Sequence, residues 1–143
     1  MNSDNEKLSS IGLLLLRVGI GVLMLVHGIT KVQGFSAMAD SFPDPIGMGS
    51  QLSLIMAIGA EVGCSILLIV GLFSRLAAIP LAFTMIVALL VVHAENPWKA
   101  KELAALFLLV YVSLILTGPG LFSLDQRLFG GNSGKTALDK ESA

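Results

Sequence analysis

Charge is scarce in this sequence: Asp, Glu, Lys and Arg make up 13% of its 143 residues, too few to cover a soluble domain of this length. The basic residues are scattered as Lys7, Arg17, Lys31, Arg75, Lys99, Lys101, Arg127, Lys135 and Lys140, and the net charge is -1. No basic patch forms, which excludes nucleic acid as a partner. A single cysteine, Cys64, excludes an internal disulfide and any thiolate metal cage built by one copy of the chain. Aromatic residues amount to 6%. What remains is hydrocarbon: 55% of the residues are hydrophobic and the mean hydropathy is +0.85, which implies a membrane protein with little outside the lipid bilayer.

Four apolar runs follow one another at about residues 11–30, 51–72, 75–93 and 98–117. Twenty helical residues rise about 30 Å, the thickness of the hydrocarbon layer, so the expected fold is all-α, a polytopic four-helix transmembrane bundle. Residues 1–10 are expected to be a polar N-terminal tail, residues 11–129 one membrane domain, and residues 130–143 a disordered C-terminal tail. A cleaved signal peptide fits poorly, because Asp4 and Glu6 outweigh Lys7 and the apolar core contains Arg17. Ser9 or Ser10 is a candidate cap for the first helix, with Gly28 and Gly34 weakening its end. Ser50 opens the second helix, Ser74 caps the third, and Asn96-Pro97 starts the fourth, which Gly118-Pro119-Gly120 ends. Between the first two runs, Phe35, Met38 and Phe42 are spaced for a short surface helix, and an irregular loop fits residues 35–49 equally well.

Four spans put both ends of the domain on one side. Basic residues near span ends number four there (Lys7, Arg75, Arg127, Lys135) against three opposite (Lys31, Lys99, Lys101), which favours cytoplasmic termini. Residues 130–136, GGNSGKT, look like a phosphate-binding loop, but Phe129 stands where the motif needs glycine and no strand precedes it.

Arg17 lies inside the first run, where a charge costs about 2.5–3.5 kcal/mol on insertion scales and demands a partner or a wet cavity. Glu61 is the only other formal charge deep in a span. Helical rise puts Arg17 about 10–13 Å into the first span and Glu61 about 14–16 Å into the second from the other side, so an Arg17–Glu61 pair is expected. Such a pair either shapes a ligand site or merely clamps the helices in register. On the first helix Arg17, Gly21, Met24, Gly28 and Lys31 share one face, with His27 at its edge. On the second, Ser50, Ala57, Glu61, Cys64 and Ser65 share another, and Gly59 and Gly63 lie opposite as a G-x-x-x-G pair open to another helix or a second copy. Gly21, Gly28, Gly59 and Gly63 are thus expected to be packing residues, and Cys64 a small buried hydrophobe.

His27 and His93 end the first and third spans on the same side. Two histidines suffice to ligate a haem, yet they are the only two and span-end histidines are ordinarily polar end residues, so haem or metal is the weaker reading. With Arg17, Lys31 and Glu61 they are expected to form a polar pocket open to the outer interface, suited to quinone carbonyls or an anionic head group.

The pattern as a whole resembles the DoxX family of small four-span membrane proteins. It is carried by Arg17 with Gly21, His27-Gly28 and Lys31; by Glu61, Gly63 and Gly71; by Arg75-Leu76-Ala77-Ala78; and by Gly118-Pro119-Gly120 with Ser123-Leu124-Asp125. The resemblance implies the bundle and an inner-membrane location. It also points to a subunit of a quinone-linked redox or oxidative-stress-response system, partnered by a soluble or membrane oxidoreductase, with Arg17, His27, Lys31 and Glu61 as the ligand-site candidates and no residue assigned to catalysis. A non-enzymatic anchor or assembly factor is the alternative. A proton-coupled transporter ranks third, since neither broken helices nor inverted repeats are visible.

Overall fold

The structure is a computed structural model that describes residues 2–130. The tail expected to be disordered therefore lies outside the described residues, apart from Gly130. Four helices are long and apolar enough to cross a membrane: span one, Ser3–Gln33; span two, Ser50–Val70; span three, Ser74–Val92; and span four, Trp98–Thr117. Two short helices, Phe35–Met38 and Leu124–Phe129, follow the first and the last of these, and no strand occurs among the described residues. The chain is an all-α integral membrane protein.

Span one begins at Ser3 rather than at a cap on Ser9 or Ser10. Asp4 and Glu6 sit in its first turn, where carboxylates favour the positive end of the helix dipole, so the polar residues extend the helix instead of preceding it. At 1.5 Å per residue it is about 46 Å long, well beyond a bilayer's hydrocarbon layer. Ser10 is buried in mid-helix, and its hydroxyl accepts the Leu121 backbone N–H at 3.2 Å. Gly34 ends the helix, whereas Gly28 lies inside it as a packing position.

Span one packs along the whole of span two, and span three along span four. Two close approaches fix the first seam: a Cβ on Gly21 would come within 2.7 Å of Ile69, and one on Gly28 within 2.7 Å of Val62 and 3.0 Å of the Glu61 Cβ. Only hydrogen fits at either place. By contrast Gly59 and Gly63 are exposed, and a Cβ on either would meet nothing within the chain. Between the four helices lies a core that includes Met24, Leu68, Leu81, Phe107, Tyr111 and Leu114. Leu15, Val26, Leu90, Leu106 and Leu116 point outward, as apolar residues do when the solvent is lipid.

Spans two and three each contain a wider π-helical turn, Gly59–Cys64 and Ala88–Val92. Neither helix breaks. Such turns redirect a few side chains without losing backbone hydrogen bonds, and the first of them carries Glu61. The loop between spans one and two is helical only over its single turn Phe35–Met38, so the competing readings each hold for part of it.

Candidate functional site

The candidate site residues separate into two clusters at opposite ends of the bundle. At the end where span one begins, Arg17 is 1% exposed and spends its charge on backbone. Its guanidinium donates to the Pro119 carbonyl at 2.6 Å and to the Phe122 carbonyl at 2.8 Å, gripping the chain just after span four. Gly71 (φ 76°) closes over it; a Cβ there would stand 2.8 Å from both the Arg17 Cζ and the Ser123 Cβ. Asp125 completes the cluster by accepting from the backbone N–H groups of Phe73 at 2.6 Å and Ser74 at 2.9 Å. It caps span three in place of Ser74's own side chain and holds Phe73 at φ 48°, a left-handed conformation that costs a bulky residue about 1–3 kcal/mol.

The expected Arg17–Glu61 pair is not formed. Arg17 lies level with Gly71 at the end of span two, whereas Glu61 is ten residues, about 15 Å of helix, further into the bundle. Span one, begun at Ser3 rather than near Ile11, runs past its neighbours: Ser10 already packs against Leu121, beyond span four, so Arg17 is level with the ends of spans two and four. The Pro119 and Phe122 carbonyls, free beyond the end of span four, accept from the guanidinium in place of a carboxylate.

Glu61 pairs with Lys31 instead. The ammonium lies 2.7 and 2.9 Å from the two carboxylate oxygens, with Glu61 2% and Lys31 25% exposed. The local cause is visible in span one. Glu61 sits on Gly28, where the missing side chain leaves it room, and Lys31, three residues on, projects from the same helix face. The long lysine stem brings the cation back to a buried carboxylate.

This ion pair lines a cavity of about 380 Å³ among the four spans at the loop end, within the size range of small-molecule sites. Span one contributes Met24, His27 and Lys31, and span two Ser53, Met56, Ala57, Ala60 and Glu61. Spans three and four add Pro80, Phe83, Thr84, Leu103, Ala104 and Phe107, and His93 joins them from just beyond span three. Phe42, Pro43, Pro45, Ile46 and Met48 of the first loop form a roof. The His27 ring meets Phe107 edge to face with centroids 5.8 Å apart, and His93 shares a 2.9 Å hydrogen bond with Asn96. His27, Lys31, Glu61 and His93 are thus brought to one cavity, and Arg17 is not. Among the described residues no three His, Cys, Asp or Glu side chains cluster as metal ligands would.

Three contributions escaped the sequence reading. The roof is one: Asp44 accepts the backbone N–H groups of Gly47, Met48 and Gly49 and the Ser53 hydroxyl, all within 3.0 Å. The backbone bond from Gly49, foremost among these, holds the Asp44 carboxyl below the ordinary aspartate value. An acid between two prolines and ahead of two glycines is a signal for such a turn. The second is Phe107, whose place in the cavity wall a uniformly apolar helix does not reveal. The third is Tyr111, one turn deeper, wholly enclosed, its hydroxyl without a partner, as is that of Ser65.

Comparison with known proteins fits this architecture. The DoxX family model matches residues 12–94. The chain is 34% identical over 127 residues to the protein of Bacillus subtilis (strain 168) named "Putative oxidoreductase CatD", covering 88% of this chain and 93% of that one. It is 30% identical over 128 residues to "Inner membrane protein YphA" of Escherichia coli (strain K12), covering 80% and 89%. An uncharacterized protein of Haemophilus influenzae is 29% identical over 131 residues, covering 87% and 96%. No solved structure matches the chain.

Proposed function

Because the chain belongs to the DoxX family of membrane proteins, we propose that it is a bacterial inner-membrane subunit of a quinone-linked redox or stress-response system, and that the loop-end cavity is its quinone site. The observation that carries the reading is the cavity's chemistry. Apolar and aromatic walls surround one ion pair and two histidines, which suits a flat, neutral ring with hydrogen-bonding oxygens. A small anion suits it less, because the charge of Lys31 is already matched by Glu61. Lys31 and the ring N–H groups of His27 and His93 are the available donors to ring oxygens, and Glu61 is the acceptor for a ring hydroxyl. A bound quinone would supply the capacity to accept or release electrons. These residues bind and orient it, and the roof keeps water away. Both termini are taken to be cytoplasmic, which places the roof at the outer face. A second copy would pack at the exposed Gly59 and Gly63.

The expected result is quinone copurifying with the wild-type protein from native membranes and depleted at least about tenfold in Glu61→Gln, measured by extraction and mass spectrometry. Equal or absent quinone in both proteins overturns the proposal. The anchor reading draws support from the other cluster, where Arg17, Ser123 and Asp125 fix the segment after span four through hydrogen bonds to backbone groups. Under it, crosslinking recovers one dominant protein partner that persists in Glu61→Gln.

A further inference from the structure

Spans two and three are joined at the Arg17 end by residues 71–73 and pack together there and through the π-helical turn of span two. Beyond that turn they part. The loop-side portion of span two, Ser50–Ile58, has no substantial packing against span three. The cavity reaches into the gap: Met56 and Ala57 line it from one side, Phe83 and Thr84 from the other, and Met56 and Phe83 are also more than half exposed. The other routes are obstructed. Between spans one and four the His27 and Phe107 rings are in contact, and toward water the roof is tied to the first turn of span two through Asp44 and Ser53. The opening therefore faces hydrocarbon; the Thr84 hydroxyl in its wall donates to the Pro80 carbonyl of its own helix, and the charged groups lie at the inner end.

Resting on the quinone reading, we infer that the cleft between spans two and three is a lateral portal, and that the ligand is a lipid-dissolved amphiphile. Its neutral ring lies beside Lys31 and Glu61, and its hydrocarbon tail lies in the cleft between Ala57 and Thr84. A water-soluble ring without a tail makes only half of these contacts. Tail methylenes that move from one hydrocarbon environment to another gain little from hydrophobicity, so the tail's contribution comes from confinement and packing in a preformed groove.

The test uses the full chain in phosphatidylcholine nanodiscs, with saturable binding of a benzoquinone bearing a decyl tail compared with the same ring lacking it, each corrected for partitioning into empty discs. The tailed ligand is expected to bind about tenfold more tightly. Ala57→Phe, which narrows the cleft, is expected to bring the tailed ligand down to the affinity of the tail-less ring in the same variant; Thr84→Leu serves the same purpose if the first variant misfolds. Equal binding of the two ligands, or a tail advantage that survives both variants, overturns the portal while the cavity keeps its quinone. Failure of both ligands to bind overturns the quinone reading and the portal together.

Discussion

Arg17 and Lys31 are cations on one stripe of the same helix, and their surroundings give them different duties. Arg17 is enclosed by backbone: two carbonyls accept its N–H groups, a glycine closes over it, and its Nε has no partner. Lys31 meets a single carboxylate in the wall of a cavity. A substitution at each should therefore report on a different property. Hydrogen bonds to a charged group contribute about 1.5–3 kcal/mol each, so Arg17→Met should destabilise the fold by roughly 3 kcal/mol, measured by denaturation in detergent. Quinone binding per folded molecule should stay at the wild-type level, because Arg17 does not line the cavity. The stripe itself was legible from helical spacing, down to the proximity of Gly28 and Lys31. The partners were not, because a backbone carbonyl leaves no mark in a sequence and a lysine stem spans more than one turn.

At the scale of the element, the roof is the part most open to control. Four hydrogen bonds converge on the Asp44 carboxylate, which is itself exposed, and tie residues 42–48 to the start of span two. Its carboxyl is held below the ordinary value of 3.8, chiefly by the backbone bond from Gly49. The sign follows from that direction. A carboxylate favoured by the fold stabilises it fully above the unfolded value, and this contribution is lost as pH falls through the lower folded one. Hydrogen exchange of the Gly47, Met48 and Gly49 amides should thus be slow above the ordinary value of 3.8 and accelerate, beyond the intrinsic trend, only when the pH falls below it. Asp44→Asn should exchange quickly on both sides of that value. Acceleration of equal size in that variant would show that Asp44 is not the tether. The opposite end is built on similar logic, since Asp125 reaches back to cap span three. Both aspartates are readable as turn or cap residues in a sequence, but the helix each one serves is fixed only when distant segments meet.

Across the whole molecule, the seam between spans one and two is tight and the gap between the loop-side halves of spans two and three is wide, and glycine placement separates tight packing from open surface. Gly28→Ala should force the Val62 side chain and the Glu61 backbone aside at a cost of about 1–3 kcal/mol, and should weaken the Lys31–Glu61 pair with it. Gly59→Ala and Gly63→Ala meet nothing within the chain and should change thermal stability by less than about 1 kcal/mol in a monomeric preparation. A loss at Gly59 as large as at Gly28 would mean that the exposed pair is packed against something further. By itself the sequence determined that there are four membrane helices, the glycine-rich face of span one, and the small set of polar residues available for chemistry. Hydropathy and helical period are local properties, and they suffice for that. Only the tertiary structure decided which charge meets which, because partner choice depends on how far each helix slides along its neighbour. The shift of span one carried Arg17 to the end of the bundle and left Glu61 to Lys31.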